Sequence, residues 1–278
     1  MKLATTISAS DLMTLPLTPL EQFIALLDKK SSYFRDAEID KSLFSLKESG
    51  VDGFELLIPH HTDMRHIKKL KILIEHQDIN IFSIHQPLSN PGGLNLDKVE
   101  KLCRIASIFS ARVVVLHSST LKNYLLDIEF TNKLKILEKK YSMTFGIENM
   151  TRNIMSQKSF TYNGKEFAKV VRIAGLRITF DTTHLGQAGG DILGFYDENK
   201  DIIVNLHISD YKHTVISDHL IPQFSSHLPI NHGDLPLMKL ISKIKKDNYS
   251  GQITMEINSN FKDICTSARI ISQSPKNV

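Results

Sequence analysis

The sequence predicts one α/β domain folded as a closed (β/α)8 barrel. Eight short apolar runs of strand type alternate with helical stretches along the 278 residues. Alternating elements with mostly uninterrupted apolar strands are typical of a parallel sheet covered by helices, and eight such units in roughly 250 residues are what a closed barrel requires. A doubly wound open sheet is the alternative. It normally has a glycine-rich first turn, which residues 8–20, SASDLMTLPLTPL, lack.

The predicted strands are short runs rich in β-branched and aromatic residues, a composition that favours strands. In chain order they cover residues 3–8, 53–58, 80–85, 112–117, 143–148, 177–181, 202–208 and 252–257. The intervals between most of them are long enough for the crossover helix that parallel strands need.

Helices are predicted where apolar residues recur every three or four positions. Within residues 63–77, these positions are Met64, Ile67, Leu70 and Ile74. Further helices are predicted over residues 96–109, 130–141, 164–175, 234–248 and 261–273.

No linker, low-complexity tract or short-period repeat divides the chain, so residues 1–278 are interpreted as a single domain. A helical piece over residues 19–34 is expected before the first full helix. The polar residues 272–278 are expected to form a disordered tail.

The composition is that of an ordinary globular protein, with 41% hydrophobic and 23% charged residues. A net charge of +4 permits an anionic ligand without requiring one. Two cysteines, Cys103 and Cys265, form neither a disulfide framework nor a Cys-x-x-Cys motif, which indicates a reducing compartment. Since no signal peptide and no apolar run of ~18 residues is found, a cytoplasmic protein without membrane contact is expected.

Titratable residues lie at the carboxyl ends of the predicted strands, the ends that form the active-site face of such a barrel. They are Glu55, His85, His117, Glu148, Asp181, His207 and Glu256. One such residue alone is more often a hydrogen-bonded structural group. A whole set converging on one barrel mouth must be paired or metal-bound, because each unpaired buried ion costs several kcal/mol. The pattern therefore predicts a divalent metal site.

Seven segments give the chain a family resemblance. They are SIHQP (83–87), VVVLHSS (113–119), FGIEN (145–149), FDTTH (180–184), NLHISD (205–210), HLPINHGDLPL (227–237) and ITMEI (253–257). In this order, over residues 53–257, the chain resembles the xylose isomerase-like TIM barrels. That superfamily includes sugar isomerases, ketose 3-epimerases, inosose dehydratases and the DNA-repair enzyme endonuclease IV.

The resemblance implies a role for each matching residue. In this superfamily, four residues bind one divalent metal, and their positions match Glu148, Asp181, His207 and Glu256. Three carboxylates and an imidazole suit Mn²⁺, Zn²⁺, Mg²⁺ or Co²⁺, and the ligand types do not select among these ions. In endonuclease IV, a second zinc is held at the positions of His85 and His117, with Glu148 bridging, and a third at the positions of His184 and His227. In this chain, His85 and His117 are therefore expected to hold a second metal or to contact the substrate.

The chain departs from endonuclease IV at the third zinc. That enzyme has Asp-x-His there, whereas this chain has SSHLP, so Ser225 stands in place of the carboxylate. A hydroxyl is a poor replacement for a carboxylate ligand. Leu88 also replaces a tyrosine that engages DNA, and NMTRNIMSQ (149–157) lacks the glycine-rich continuation after Glu148.

The resemblance therefore favours a metal-dependent isomerase or epimerase of a sugar, sugar phosphate or related polyol. The metal would stabilise an enediolate, and Glu148 and Glu256 would be the carboxylate acid/base pair. Substrate contacts are expected from His184, His213, His227 and Glu55; for Glu55, a salt bridge is the alternative role.

Two other functions remain open. An endonuclease IV-like zinc phosphodiesterase would act on abasic-site DNA or another phosphate ester, and DNA is expected as a partner only in that case. A barrel that binds metal without efficient catalysis is the other. No nucleotide cofactor is expected, since no Walker loop or Rossmann fingerprint is found. The chain is expected to be a monomer or a homodimer.

Overall fold

A computed structural model describes residues 1–8, 44–58, 62–76, 78–87, 95–118, 125, 127–150, 164–214 and 225–275. Its eight parallel strands close into a barrel in chain order, β1 to β8. The predicted (β/α)8 barrel is therefore confirmed. The expected helical piece at 19–34 and the positions of Leu88 and of residues 151–157 lie outside the described residues.

The strands lie within two residues of their predicted bounds. They are β1 Lys2–Ser8, β2 Gly53–Leu57, β3 Ile81–His85, β4 Val113–His117, β5 Thr144–Glu148, β6 Arg177–Asp181, β7 Ile203–Ile208 and β8 Gln252–Met255. All eight neighbouring pairs are parallel, including the closing pair of β1 with β8.

The helices pack around the outside of the barrel. They are α1 Met64–His76, α2 Leu96–Ile108, α3 Ile128–Tyr141, α4 Lys165–Ala174, α5 Thr182–Gln187, α6 Ile192–Asn199, α7 Leu237–Lys246 and α8 Phe261–Gln273. Residues 44–48 are also helical. No helix in the described part of the chain is long and apolar enough to cross a membrane.

Two sequence expectations differ from the structure at helix ends. The helix predicted over residues 234–248 begins only at Leu237, after the segment 231–236. The side chain of Asp210 accepts hydrogen bonds from the amides of Gly233 and Leu235, at 2.9 and 3.1 Å, and holds this segment as a turn. At the other terminus, α8 extends to Gln273 and so runs two residues into the expected tail.

Strand periodicity decides which side chains enter the barrel. Successive side chains of a strand point to opposite faces, and in β4 the apolar Val114 and Leu116 belong to the hydrophobic core beneath the helices. The alternate residue, His117, therefore faces the interior. In β5, Phe145 and Ile147 belong to the same core, which places Glu148 on the inner face.

Candidate metal centre and active site

Four consecutive strands position one group of potential ligands. Glu148 ends β5 and Asp181 ends β6, while His207 lies in β7 and Glu256 directly follows β8. The register pairs Asp181 with His207, so the two side chains lie at the same height in the barrel. Glu256 is half-buried and the other three are buried. The four residues predicted as metal ligands are thus brought together.

His207 lies at the centre of this group. Its Nδ1 is 3.1 Å from Glu148 Oε1, 2.8 Å from Glu256 Oε2 and 3.9 Å from Asp181 Oδ2. One atom from each of the four residues can be chosen so that all lie within 4.8 Å of one another. A cation at the middle of such a group replaces repulsion among three carboxylates with attraction to each of them.

A second group shares Glu148. The Nε2 atoms of His85 and His117 are each 3.3 Å from Glu148 Oε2. The Nδ1 of His85 lies 2.7 Å from the carbonyl oxygen of Gln86, so Nδ1 carries the proton and donates it, and Nε2 faces Glu148. Gln86 also accepts the backbone N–H of His117 through its side-chain oxygen, at 2.9 Å. One glutamine therefore fixes both histidines.

Buried atoms without hydrogen bonds test whether a metal fits. Buried polar atoms normally have a hydrogen-bond partner. The carboxylate oxygens Glu148 Oε2, Asp181 Oδ2 and Glu256 Oε2 have none. His85 Nε2 lacks one as well. These are the atoms that point into the two groups. Nitrogen and carboxylate donors of this kind suit a divalent cation, so the residues present fit one.

The carboxylates and histidines shift one another's pKa values. Burial raises the pKa of Glu148, but the positive charge of His207, its hydrogen bond to Glu148 Oε1 and the nearby His85 outweigh burial and hold that pKa well below the ordinary value. Burial also raises the pKa of Glu256, but the positive charges of His207 and His227 outweigh burial and lower that pKa overall. The pKa of His207 is well above its ordinary value because Glu55, Glu256 and Glu148 outweigh its desolvation.

The two histidines beside Glu148 shift in opposite directions. Burial lowers the pKa of His85, but the Glu148 carboxylate, 3.3 Å from its Nε2, and the negative charges of Glu55 and Glu256 prevail and raise the pKa to about 9. For His117, burial dominates and lowers the pKa to about 4. Of these two histidines, only His85 is therefore favoured in its protonated form beside Glu148. Burial also raises the pKa of Asp181, which is the opposite of what a bound cation would do.

Asn149 positions two of these residues and was not identified from the sequence. Its amide Nδ2 donates to the carbonyl oxygen of Asp181 at 2.9 Å, and its Oδ1 accepts the Asp181 N–H at 2.8 Å. The carbonyl oxygen of Asn149 lies 3.0 Å from His184 Nδ1, which donates to it. Because Asn149 directly follows Glu148, its place in the segment FGIEN is the signal that could have identified it.

His184 and His227 lie next to each other, beside the group formed by Glu148, Asp181, His207 and Glu256. Their ring centroids are 5.3 Å apart with an edge-to-face angle of 89°. His227 Nδ1 is 3.1 Å from the carbonyl oxygen of Glu256 and 3.2 Å from Ser209 Oγ. His184 Nδ1 also lies 3.6 Å from Glu148 Oε1. Neither histidine belongs to a group of three potential ligands among the residues described.

Ser225 and His213 lie in the segments that flank this pair. Ser225 is half-buried, and its carbonyl oxygen accepts the N–H of Lys212 at 3.0 Å. His213 is exposed; its ring packs edge-on against Tyr211 at 4.8 Å, and its N–H donates to Asp234. The expectation that His213 contacts a substrate stays a prediction.

Glu55 is buried below the mouth of the barrel. Its Oε1 lies 3.0 Å from His207 Nε2, and neither residue has exposed side-chain surface. Burial raises the pKa of Glu55, but the positive charge of the adjacent His207, that of His85 and the hydrogen bond from Ser83 lower it overall. This geometry matches the salt-bridge role that the sequence left open for Glu55.

The comparisons with known proteins agree with this architecture. A family model described as xylose isomerase-like TIM barrel matches residues 44–274. An uncharacterized protein of Methanocaldococcus jannaschii is 28% identical over 282 aligned positions, which cover 89% of this chain and 92% of that protein.

Two solved structures share the fold. The crystal structure of a D-tagatose 3-epimerase-like protein has a TM-score of 0.66 at 20% identity and covers 99% of this chain and 97% of its own. A xylose isomerase-like TIM barrel protein from Mycobacterium smegmatis, determined in complex with magnesium, has a TM-score of 0.60 at 14% identity. That match covers 86% of this chain and 88% of the other.

Proposed function

This chain belongs to the xylose isomerase-like TIM barrel family, and we propose that it is a divalent-metal-dependent isomerase or epimerase of a sugar, sugar phosphate or related polyol. The observation that carries the proposal is the convergence of Glu148, Asp181, His207 and Glu256 within 4.8 Å at the carboxyl ends of four strands. The similarity to a D-tagatose 3-epimerase-like protein over 99% of the chain supports it. The donor set is compatible with Mn²⁺, Zn²⁺, Mg²⁺ or Co²⁺.

Glu148 and Glu256 are the proposed acid/base pair. Both carboxylates lie against His207 Nδ1, at 3.1 and 2.8 Å, and both have pKa values below the ordinary range. An ionised carboxylate accepts a proton from a substrate carbon, and a second carboxyl group that already carries a proton donates it to the same or the opposite face, so the two groups exchange protonation states. A bound divalent cation would polarise the substrate carbonyl and stabilise the negative charge left on proton removal.

His184 and His227 are the proposed substrate contacts. The Nδ1 of each ring is oriented by a backbone carbonyl oxygen, Asn149 for His184 and Glu256 for His227. The Nε2 of each ring is then the nitrogen that remains to meet a substrate hydroxyl or carbonyl. Exposed His213 would contact only a part of the substrate that extends out of the mouth. Glu55 has no exposed surface and is left out of this set.

The test of this function is solvent proton exchange in the variant Glu256→Gln. Incubated in D2O with Mn²⁺ and a panel of ketoses and ketose phosphates, the natural protein should introduce deuterium beside the carbonyl, and the variant should lose this activity by about 10²- to 10⁴-fold. The matched control is Glu129→Gln, since Glu129 is exposed on α3 and paired only with Lys133 among the ion pairs described. Unchanged exchange in Glu256→Gln would remove Glu256 from the acid/base role.

A phosphodiesterase of the endonuclease IV type is the second candidate, favoured by one observation. His85, His117 and Glu148 form a further group of potential ligands that shares Glu148 with the first. Hydrolytic enzymes use two metal ions about 3.5–4 Å apart to stabilise the attacking and leaving oxygens. Elemental analysis giving close to three zinc ions per chain, together with cleavage of abasic-site DNA, would favour this candidate over the isomerase.

The isomerase is proposed to act on a small carbohydrate in the cytoplasm, as a monomer or homodimer and without a nucleotide cofactor. DNA is a partner only for the second candidate. Gel filtration with light scattering measures the oligomeric state directly, and it can be combined with the metal analysis.

A further inference from the structure

We propose that Glu55 is a positioning residue that fixes the proton of the His207 ring on Nε2 and so turns the Nδ1 lone pair toward Glu148, Asp181 and Glu256. The proposal rests on the metal centre of the proposed function and deepens it. It assigns a task to a charged residue that the acid/base chemistry leaves without one.

His207 faces carboxylates on both edges of its ring. Nδ1 lies 2.8 Å from Glu256 Oε2 in the proposed metal group, and Nε2 lies 3.0 Å from Glu55 Oε1 on the opposite edge. A neutral imidazole carries a proton on only one of its nitrogens. Since a metal ligand needs a free lone pair, the nitrogen that faces Glu55 must be the one that keeps the proton.

A closed ring of hydrogen bonds decides which oxygen of Glu55 faces His207. Ser83 Oγ and Asn205 Nδ2 both donate to Glu55 Oε2, at 2.7 and 2.9 Å. Gln252 Nε2 donates to Ser83 Oγ and to Thr254 Oγ1, each at 2.7 Å. Thr254 Oγ1 donates to Asn205 Oδ1 at 2.9 Å and completes the ring.

The donor directions around this ring leave Glu55 only as an acceptor. Both protons of the Gln252 amide are used within the ring, the Ser83 hydroxyl proton points to Glu55, and the Thr254 hydroxyl proton points to Asn205. Glu55 Oε2 is thus occupied by two donors. Glu55 Oε1 and His207 Nε2 have no hydrogen bond to any group described. They lie 3.0 Å apart, so each is placed to serve as the partner of the other.

All five side chains of the ring are buried, and they come from β2, β3, β7 and β8. The interior of such a barrel is ordinarily filled by bulky apolar side chains. A polar layer directly beneath a metal group has a known use, because a carboxylate that accepts the distal N–H of a ligand histidine orients the ring and raises its basicity.

The substitution Glu55→Gln separates this role from simple packing. The amide oxygen would keep the two hydrogen bonds from Ser83 and Asn205, so the NH2 group would face His207 Nε2. A donor facing a donor moves the His207 proton to Nδ1. Zinc affinity should then fall by about 10- to 100-fold.

The experiment uses the full chain loaded with Zn²⁺ and labelled with ¹⁵N in the histidine rings. Long-range ¹H–¹⁵N correlation spectra report which nitrogen carries the proton, and the His207→Gln variant assigns the signal. In the natural protein, His207 should be protonated on Nε2. A proton on Nδ1 would overturn the proposal, and this measurement needs no variant to fold.

Chelator competition then measures zinc affinity for Glu55→Gln and for a matched control, Thr254→Val. The control breaks the ring but keeps both donors to Glu55, so it should lose stability while the His207 tautomer and zinc affinity stay within about threefold of the natural protein.

Two outcomes for Glu55→Gln would contradict the proposal. Zinc affinity and the Nε2 proton could both be unchanged in the folded variant, or one whole zinc ion could be lost, which would make Glu55 a ligand together with His85 and His207. None of these readouts requires turnover. Absence of epimerase activity would therefore overturn the proposed function while leaving the test of Glu55 intact.

Discussion

The site contains two pairs of histidines, and only one pair has a carboxylate oxygen between its two rings. His85 and His117 both point their Nε2 atoms at one oxygen of Glu148, each at 3.3 Å. His184 and His227 instead turn their Nδ1 atoms to backbone carbonyl oxygens. Only the first pair belongs to a group of three potential ligands in the part of the chain that is described.

We infer from this difference that the shared carboxylate favours metal binding by the first pair over the second. Two imidazoles are neutral donors and leave the charge of a divalent cation uncompensated, whereas a shared carboxylate supplies both charge and a bridging oxygen. At position 225, the nearest equivalent on the second side, the chain has a serine. We therefore expect the first pair to hold an ion and the second pair to contact the substrate.

The largest expected effect follows from removing the shared carboxylate. Glu148→Gln should reduce activity by about 10²- to 10⁴-fold and should release metal from both groups, because Glu148 belongs to each of them. Elemental analysis of the desalted protein measures the loss. His184→Ala, on the second side, is the control and should keep its metal while its KM rises. Equal metal loss in the two variants would remove the distinction between the pairs.

The second expected effect is a gain of metal on the side that lacks a carboxylate. Ser225→Asp should add about one zinc ion per chain, since it restores the carboxylate that completes a set with two histidines. Ser226→Asp, one residue further along, adds the same charge as a control and should leave the zinc content unchanged. In the natural protein, His184 and His227 are expected to hold no zinc. If substituting both histidines lowered the zinc content, this distinction between the two pairs would be wrong.

The smallest expected effect is on the pH dependence of metal binding by the first pair. Without metal, His85 has a pKa raised to about 9, so it carries a proton at neutral pH that a metal must displace. Affinity for Mn²⁺ should therefore increase from pH 6.5 toward pH 9 and level off above the raised pKa. Calorimetry in buffers of different ionisation enthalpy measures the protons released.

His85→Ala provides the control for this pH dependence, because it removes the proton that is displaced. The variant should release fewer protons per bound ion and show a shallower increase of affinity with pH. Affinity that rises on acidification, or proton release that is identical in both proteins, would contradict the assignment.

The barrel and the convergence of titratable residues at its mouth could be predicted from local sequence, whereas the choice of one four-residue ligand set among them is what the family resemblance implies. The strands β3 to β6 each end in a titratable residue, His207 lies one residue from the end of β7, and Glu256 directly follows β8. The period of two places such residues on the inner face. In a parallel barrel, all carboxyl ends lie at one mouth. In the structure, Glu148, Asp181 and His207 lie within reach of one another, as their places at the strand ends predict.

Depth in the barrel could not be predicted, because it depends on the register between strands. Glu55 appeared to be a residue of the mouth, but β2 pairs Leu57 with His85. Glu55 therefore lies two residues deeper than the histidine at the end of β3. Its five-membered hydrogen-bond ring joins residues up to 169 positions apart in sequence, and no local pattern connects them.

The sequence by itself determined the fold class and the identity of the metal-ligand candidates, because both depend on short-range periodicity and on the common direction of parallel strands. The tertiary structure decided the partners. It placed Glu55 under His207 rather than at the mouth, and it joined His85 and His117 through Glu148. It also turned His184 and His227 toward carbonyl oxygens. These are distances between strands, and they are set by register, barrel closure and loop packing rather than by any one segment of the chain.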